Sequence, residues 1–526
     1  MWGDTKRTNR RTGKEVNIID NSQVFIVHFD NPVPVQETLN LFRSLSIVEY
    51  AEEPAIICLF DEPNDEYYRD AQNNVQWYFE AIQADDAWDI THGSDDIVIG
   101  IIDNGFYPNH PDITNKVISS DGDSENHGTE VASVAAASTN NSIDVASLGW
   151  NTKLRLYDGI NQTVGGESTT ASKITAAAHY CDIINMSFGI FRYVTLADLY
   201  EMAYYCPKKD KWVGSLITTN NSSISSAISN AISQGVICIA AAGNGTKNTG
   251  LPYPELCDLN AVPYTAYPAA YQDVIAVSGT TLDESTEVFN TNWNYGSFVD
   301  ISAPGTGIKL ATSNNSDTTK SGTSYSSPLV AALVSLILAF DPNEDAEDII
   351  KSSADKIDSW PYSNGWNSRL GYGRINAYDA LLACFPQIPT GFSLSGSVGQ
   401  YPTLNWNSNT ENDLDGYLLY RKIGSGNEYS IANLNEDVTS FVDHGVIIGN
   451  GKFDPIVRYR LSAYDLVDNE SEKTSYVSTK AGGINKPIVN SNNEILPTEF
   501  NLYSAYPNPF NSSTVFKYDI PKQSIV

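Results

Sequence analysis

A serine residue lies where a tight turn leads into a long apolar stretch. Residues 322–328 read GTSYSSP, and residues 329–340 are almost entirely apolar. Glycine lets the backbone approach a ligand closely, and proline suits a first helical turn because its missing N–H would be unpaired there. The positive end of such a helix favours negative charge on a carbonyl oxygen bound beside Ser324. The turn therefore predicts a nucleophile, and an ordinary helix start is the alternative interpretation.

Two other segments place a carboxylate and an imidazole at the ends of predicted structural elements. Asp103 ends a β-branched run that predicts a buried parallel strand, and sites collect at the carboxyl ends of such strands. His127 begins a stretch of small residues that predicts a tightly packed helix, and the chain has only 6 histidines. A turn-forming aspartate and a capping histidine are the alternatives for each segment alone. Together with Ser324 they provide an orienting acid, a base and a nucleophile.

A fourth segment offers a hydrogen-bond donor for a negatively charged oxygen. Residues 236–243 form an apolar run that ends in a turn of small residues, and Asn244 follows it. An asparagine amide in such a turn can donate to the oxyanion of a tetrahedral intermediate. The order of an acid, a base, an amide and a serine along the chain is a specific pattern that indicates acyl transfer.

These motifs resemble those of the subtilisin-type serine proteases, the subtilases. The matching segments are residues 102–105 (IDNG), 127–129 (HGT) and 322–324 (GTS), with Pro328. The resemblance implies that Asp103 orients His127, which acts as the general base for Ser324. It also implies that Asn244 stabilises the oxyanion together with the backbone N–H of Ser324.

The resemblance further implies a substrate groove. Residues 184–189 (INMSFG) are similar to the strand on which the family binds an extended peptide. The expected pocket walls are Ser187, Phe188 and Gly189 on one side and Ala241, Ala242 and Gly243 on the other. Phe188 and the small residues favour an apolar pocket, whereas Glu255 and Asp258 favour a basic substrate side chain. The sequence leaves both preferences open.

Some residues depart from the family pattern. Glu130 and Ser133 stand where the family usually has histidine and glycine, and Ser326, Ser327 and Leu329 replace the commoner residues after the nucleophile. None of these changes removes a member of the triad. We expect them to alter local packing and to leave the mechanism intact.

Residues 139–145 (TNNSIDV) resemble the high-affinity calcium loop of the family. Calcium takes roughly six to eight oxygen ligands, which include backbone carbonyls. The resemblance implies the following ligands: the Asp112 carboxylate, the Asn141 amide oxygen and the carbonyls of Thr139, Ile143 and Val145. An asparagine-rich turn without a metal ion is the alternative.

Length and charge limit the possible functions. The chain has 526 residues, which exceeds a single core and predicts several domains. Its net charge of −31 argues against nucleic-acid binding, which requires a basic surface. No stretch reaches the roughly 18–20 apolar residues that span a bilayer, so we expect no transmembrane segment.

The 6 cysteines are too sparse for a scaffold built on disulfides. Cys181 and Cys238 lie in apolar runs, which predicts buried free thiols. Cys206 and Cys257 fall in polar stretches, where a disulfide and two separate thiols are both compatible with the sequence.

The predicted fold class is α/β, a subtilisin-like parallel sheet flanked by helices. We expect a small α/β propeptide region at 1–63, a catalytic domain at 64–385, a fibronectin type III-like β-sandwich at 386–482, and a linker with the start of a sorting domain at 483–526. Trp406 and Tyr459 are expected in the sandwich core. Residues 191–221 predict either an insertion near the groove or a surface pair of helices.

Several partners follow from these resemblances. The propeptide region implies an inhibitor of the chain's own active site, with cleavage expected between residues 61 and 66. Residues 505–511 (AYPNPFN) resemble the sorting domain recognised by the type IX secretion machinery, which implies a secreted protein. Residues 1–14 lack the apolar core of an export signal, and we expect a fragment at both ends.

The sequence therefore predicts a secreted endopeptidase that acts on extended polypeptides. A non-catalytic adhesion protein with a degenerate protease fold is the alternative from another class. An amidase or esterase of the α/β-hydrolase type is disfavoured, because its nucleophile would precede the acid and the histidine.

Overall fold

The computed structural model describes residues 62–68, 76–122, 127–160, 166–192, 220–245, 266–283, 286–289, 293–312 and 318–484, with isolated short strands elsewhere. The chain divides into two compact units, residues 1–60 and residues 61–526. In the first unit, β1 (Lys6–Thr8) pairs antiparallel with β2 (Glu15–Asn17). Most of the expected propeptide region, including residues 18–61, lies outside the described residues, as do residues 505–511.

The second unit contains a large, mostly parallel sheet. The strands up to residue 320 are β3 (Val98–Asp103), β4 (Val117–Ser120), β5 (Lys153–Asp158), β6 (Ile183–Met186), β7 (Phe191–Arg192), β8 (Tyr204–Cys206), β9 (Lys211–Val213), β10 (Ile217–Thr218), β11 (Ile237–Ala241), β12 (Val274–Asp283), β13 (Thr286–Phe289), β14 (Ile301–Pro304), β15 (Ile308–Leu310) and β16 (Thr318–Lys320). Eight of them form one sheet in the order β13-β12-β11-β6-β3-β5-β4, with β14 also beside β12. Only β13 runs antiparallel to its neighbour in this sheet.

The helices of this unit cover the sheet. They are α1 (Trp77–Ala81), α2 (Ala84–Trp88), α3 (His127–Ala136), α4 (Gly166–Ala177), α5 (Ser222–Ile232), α6 (Thr323–Phe340), α7 (Ala346–Ser352) and α8 (Ala377–Ala383). Two separate apolar clusters lie against the sheet, one containing residues of α3 and α6 and the other residues of α4 and α5. Helices on a mostly parallel sheet confirm the predicted α/β class.

Helix α6 packs against the centre of the large sheet. It has 18 residues and begins at Thr323, so Pro328 lies inside the helix and not in its first turn, where the sequence had placed it. By length and composition it is the one helix among the described residues that qualifies as a membrane span, yet 78% of it is buried inside the protein. Leu329, Leu333 and Leu336 are wholly buried in the core. Contact with the sheet and neighbouring helices therefore accounts for its apolar character.

The register of the parallel strands aligns their carboxyl ends. Ile102 of β3 pairs with Met186 of β6, and Met186 is also opposite Ala240 of β11. Because these strands run in the same direction, the residues that follow each one emerge at the same edge of the sheet. Asp103, Ser187 and the turn after β11 are thereby placed side by side.

A separate β-module follows at residues 393–484. Its strands are β17 (Ser393–Ser395), β18 (Thr403–Asn405), β19 (Leu414–Ile423), β20 (Glu428–Asn435), β21 (Ser440–Val442), β22 (Val446–Gly449), β23 (Ile456–Asp465) and β24 (Val477–Ile484). They form antiparallel sheets in the orders β17-β18-β21 and β20-β19-β23-β24-β22. Trp406 and Tyr459 are both buried in the core of this module, as predicted.

Two smaller predictions can also be compared with the structure. The described parts of residues 191–221 are short antiparallel strands, β7 with β10 and β8 with β9, so these parts are not the alternative pair of helices. Cys181 and Cys238 are buried free thiols, as expected. Cys257 lies outside the described residues, as do Glu255 and Asp258.

We expect Asp443→Ala to unfold the β-module at a lower denaturant concentration. The buried Arg421 places Nη1 2.8 and 2.7 Å from the two oxygens of Asp443, and the Tyr459 hydroxyl donates to Asp443 at 2.7 Å. Removing the carboxylate leaves a buried guanidinium unpaired, which costs about 3–5 kcal/mol. Urea unfolding followed by tryptophan fluorescence measures the loss. The exposed Asp437→Ala is the control, and equal stability of the two variants would contradict the prediction.

Candidate functional site

An aspartate and a histidine meet at the edge of the sheet. Asp103 is the last residue of β3, and its Oδ1 lies 2.9 Å from Nδ1 of His127, the first residue of α3. The same oxygen accepts the backbone N–H of Asn104 at 2.7 Å. A Cβ on Gly128 would come within 2.8 Å of the Gly105 carbonyl oxygen, so glycine permits the close approach of α3 to this loop. The contact holds the imidazole in place through Nδ1.

Negative charge surrounds this imidazole. Burial lowers the pKa of His127, but the charge and hydrogen bond of Asp103, followed by the charge of Glu130, outweigh burial and raise it above its usual value. Glu130 also contacts Lys320 and accepts the Tyr325 hydroxyl at 2.7 Å. Glu130, which stands where the family usually has a histidine, is therefore part of the electrostatic environment of the predicted base, His127.

Ser324 lies in the first turn of α6, and buried polar contacts attach this turn to the end of β6. Its Oγ donates to the Ser187 carbonyl at 3.4 Å, while the Ser187 hydroxyl donates to the Ser324 carbonyl at 2.9 Å. Asn185 Nδ2 donates to Ser187 Oγ at 3.0 Å, and Ser327 Oγ donates to Asn185 Oδ1 at 2.5 Å. This network holds the serine at the edge of the sheet where Asp103 emerges.

The imidazole and the serine lie on packed helices. Helix α3 contacts α6, and the rings of His127 and Tyr325 are 5.7 Å apart between centroids. Tyr325 is the residue that follows Ser324. The structure thus brings Asp103 into contact with His127 and packs the imidazole against the residue next to Ser324.

Asn244 is oriented by the same turn of α6. Its Oδ1 accepts the backbone N–H of Thr323 at 2.8 Å and the Thr323 hydroxyl at 3.0 Å. The Gly243 backbone N–H in turn donates to the Thr323 hydroxyl at 2.9 Å. Because the Asn244 oxygen accepts both of these hydrogen bonds, Nδ2 is the end of the amide that can donate to another group. Nδ2 lies 3.1 Å from the position that a Cβ on Gly322 would occupy. This orientation suits a donor beside the serine turn.

The predicted pocket residues continue neighbouring strands. Ser187, Phe188 and Gly189 follow β6, with Ser187 buried, Phe188 half-buried and Gly189 exposed. Ala241, Ala242 and Gly243 end and follow β11, and Asn294 holds this wall in place. Asn294 Nδ2 donates to the Ala242 carbonyl, and its N–H donates to the Gly243 carbonyl, both at 2.8 Å. The two walls therefore stand on adjacent strands.

The predicted calcium loop surrounds a buried carboxylate. Asp112 Oδ1 accepts Asn141 Nδ2 at 2.9 Å, and its Oδ2 accepts the Val145 backbone N–H at 3.1 Å. Burial raises the pKa of Asp112, the two hydrogen bonds lower it, and the charges of Asp144 and Asp65 raise it further. The result is a pKa of about 7. A divalent cation would neutralise this concentration of carboxylates, so the donor set is chemically compatible with calcium.

The side chains of two other predicted ligand residues form hydrogen bonds with nearby backbone groups. Asn141 Oδ1 accepts the Ile143 backbone N–H at 2.8 Å, and Thr139 Oγ1 donates to the Ser147 carbonyl at 3.1 Å. The sequence analysis missed Asp65, whose buried carboxylate accepts the backbone N–H of Asn140 at 2.7 Å. The segment around Asp65 is thus bound to the loop, although the sequence analysis placed it in the expected cleavage region.

Sequence reasoning also missed the residues that position the site. Asn185 and Thr323 fall inside segments that the sequence analysis singled out, but only their contacts reveal their structural role. Nothing in the sequence indicated a role for Lys320, because its partner Glu130 lies 190 positions away along the chain.

Several known proteins are similar to this chain. Residues 94–373 match the profile of the Subtilase family, Peptidase_S8. A thermophilic serine proteinase of Bacillus sp. (strain AK1) is 30% identical over 66% of this chain and 76% of its own. Thermitase of Thermoactinomyces vulgaris is 32% identical over 61% of this chain and 99% of its own. A halolysin-like extracellular serine protease, Nep, of Natrialba magadii is 27% identical over 63% of this chain and 54% of its own.

We expect Glu130→Gln to lower the pKa of His127 and Lys320→Met to raise it. The glutamate charge favours the imidazolium, and the lysine charge opposes it. NMR titration of the His127 ring in a Ser324→Ala background measures both values, with the exposed Glu167→Gln as the control. A shift of the His127 pKa in the same direction in both variants would contradict this account of the site.

Proposed function

Since the chain belongs to the subtilase family of serine-type endopeptidases, we propose that Asp103, His127 and Ser324 hydrolyse peptide bonds through an acyl-enzyme intermediate. The hydrogen bond of 2.9 Å between Asp103 and His127 carries this proposal. A buried carboxylate on Nδ1 selects the tautomer in which Nε2 can accept a proton. A nearby serine on a packed helix is the group from which that proton would come.

The reaction has two halves. Ser324 Oγ attacks the substrate carbonyl carbon while its proton passes to His127 Nε2, and the resulting imidazolium protonates the leaving amine. Water then attacks the acyl-enzyme while His127 takes its proton, and the imidazolium returns that proton to Ser324 Oγ as the carboxylic acid product departs. Asp103 would keep its hydrogen bond to Nδ1 and stabilise the imidazolium.

The oxyanion of each tetrahedral intermediate would be bound by Asn244 Nδ2 and the backbone N–H of Ser324. Thr323 supports this role because it engages the Asn244 oxygen and so determines which end of the amide can donate. The amino terminus of α6 adds a favourable electrostatic field at the same place. Donors held in place before reaction need no reorganisation when the charge develops.

The substrates we propose are extended polypeptides. A peptide would bind between the residues after β6 and those after β11, in the groove formed by Ser187, Phe188 and Gly189 and by Ala241, Ala242 and Gly243. Half-buried Phe188 supports an apolar side chain in the first pocket. The competing preference for a basic side chain depends on Glu255 and Asp258, which the structure does not describe.

The alternative function is a non-catalytic adhesion protein on the same fold. Retention of Asp103, His127, Asn244 and Ser324, together with the acid–histidine contact, favours the enzyme. An adhesion role would leave these residues without selection for their chemistry. The α/β-hydrolase alternative is disfavoured by the family match and by the chain order of the triad.

We also propose an extracellular location, which the extracellular relative from Natrialba magadii supports. The region at 1–63 would act as an inhibitory propeptide, and residues 483–526 would begin a sorting domain for the type IX secretion machinery. The paired antiparallel sheets of the β-module support a fibronectin type III-like domain that serves as a spacer.

A calcium ion is the proposed structural cofactor of the loop at residues 139–145. Asp112 would be its principal ligand, Asn141 and the carbonyls of Thr139, Ile143 and Val145 would complete the set, and Asp65 is a further candidate. The buried carboxylates support this proposal, since a cation would relieve their mutual repulsion.

Ser324→Ala should abolish both peptide hydrolysis and labelling by a fluorophosphonate. Without the hydroxyl no acyl-enzyme forms, and kcat falls by roughly a millionfold, an effect already measured in this enzyme class. Active-site labelling and cleavage of a peptide library measure the two losses. Ser321→Ala removes an exposed hydroxyl from the same segment and should retain both activities. Undiminished labelling of the alanine variant would refute the assignment.

Chelation should lower the melting temperature of the peptidase region. Calcium at a hundredfold excess over its Kd contributes about 2.7 kcal/mol, which corresponds to about 5 °C for a domain of this size. Differential scanning calorimetry with calcium and with excess chelator measures the change. Asp112→Asn should remove most of the calcium-dependent shift of this region, and a full shift in that variant would exclude Asp112 as a ligand.

A further inference from the structure

Three aspartates form a buried cluster where the peptidase region meets the β-module. Asp341 caps the carboxyl end of α6, Asp413 precedes β19, and Asp465 ends β23. Their exposed fractions are 0%, 7% and 1%, and one ligand oxygen from each lies within 4.8 Å of the others. Three carboxylates this close repel one another strongly when they are ionised away from water. Protons or a cation must offset that repulsion.

The aspartates have oxygens to which no protein group donates. The Oδ2 atoms of all three are buried and without a hydrogen-bond partner among the described residues. Backbone N–H groups instead engage Oδ1: that of Asn343 donates to Asp341 at 2.9 Å, and those of Val467 and Asn469 donate to Asp465 at 3.0 and 2.8 Å. Buried polar atoms are nearly always satisfied, so three unpartnered oxygens in one place indicate a missing ligand.

The surroundings add negative charge to the cluster. Burial, followed by the charges of the three aspartates, raises the pKa of neighbouring Glu344 to about 7. Burial also raises the pKa of Asp341 and of Asp413. Within the described ranges no lysine or arginine pairs with any of the three aspartates. Asp341 also lies at the negative end of the α6 dipole, where a cation is favoured.

We propose that this cluster binds a calcium ion that joins the peptidase region to the β-module. Calcium–oxygen distances of roughly 2.3–2.6 Å place opposite ligands about 5 Å apart, so oxygens within 4.8 Å of one another fit one coordination shell. Backbone carbonyls and water would complete that shell. Magnesium is disfavoured because it keeps most of its water and demands near-octahedral geometry.

The chemistry of the donors favours a hard cation over a softer metal. Cys384 is buried near the cluster, and burial, followed by the charge of Glu344 and the aspartates, raises the pKa of its thiol. Its Sγ donates to the Ala380 carbonyl at 3.3 Å. The oxygens gathered in this cluster all belong to carboxylates, which select hard cations.

The metal content of the full chain tests the site directly. All proteins carry Ser324→Ala to prevent self-digestion, so the test does not depend on activity. After dialysis against calcium, mass spectrometry of the metal should find one calcium ion fewer per chain in Asp413→Asn than in the parent. Asp468→Asn is the matched control, because Asp468 is exposed in the same loop as Asp465, and it should keep the parent content. Equal calcium in all three proteins would overturn the proposal.

Thermal stability provides a second readout that a purely structural role would not produce. In excess chelator, Asp413→Asn should melt above the parent, because one of the repelling charges is gone. In saturating calcium the order should reverse, because the variant lacks a ligand. A change of the same sign in both conditions would contradict metal binding. Asp341→Asn should behave in the same way, and magnesium alone should not restore the parent's calcium-dependent stability.

Discussion

The burial of α6 beneath the carboxyl edge of the parallel sheet is the constraint that organises this protein. The helix is in the core along most of its length, so its first turn cannot move without disturbing the packing around Leu329 and Leu333. That turn carries Ser324, and Thr323 within it engages Asn244. Ser324 and Asn244, the proposed nucleophile and oxyanion donor, are thereby positioned by core packing.

A surplus of acidic groups is the second theme of the structure. The chain carries a net charge of −31, and carboxylates are concentrated in buried positions around Asp112 and around Asp341. Burying like charges is unfavourable unless protons or cations accompany them. Around His127 the same surplus is useful, since Asp103 and Glu130 favour the imidazolium that forms when the base takes up a proton. Around Asp112 and Asp341 the negative charge therefore requires a counter-charge, whereas around His127 it raises the pKa of the imidazole.

Much of this was predictable because the relevant patterns are local. The apolar run before Asp103 predicted a buried strand, and Trp406 and Tyr459 were expected in the core of a β-module. The calcium loop was expected around Asp112, but its contact with Asp65 was not. That contact joins residues 75 positions apart, and no periodicity or motif links them.

The sequence by itself determined the types of the reactive groups, their order along the chain and the elements that carry them. Strand periodicity, small-residue helices and turn chemistry depend on neighbours a few positions away. The tertiary structure alone decided which groups touch: the Asn185 network beneath the serine, Glu130 between Lys320 and Tyr325, and three aspartates gathered from two parts of the chain. The reason is physical, since such contacts depend on how packed elements align in space, which local preferences do not specify.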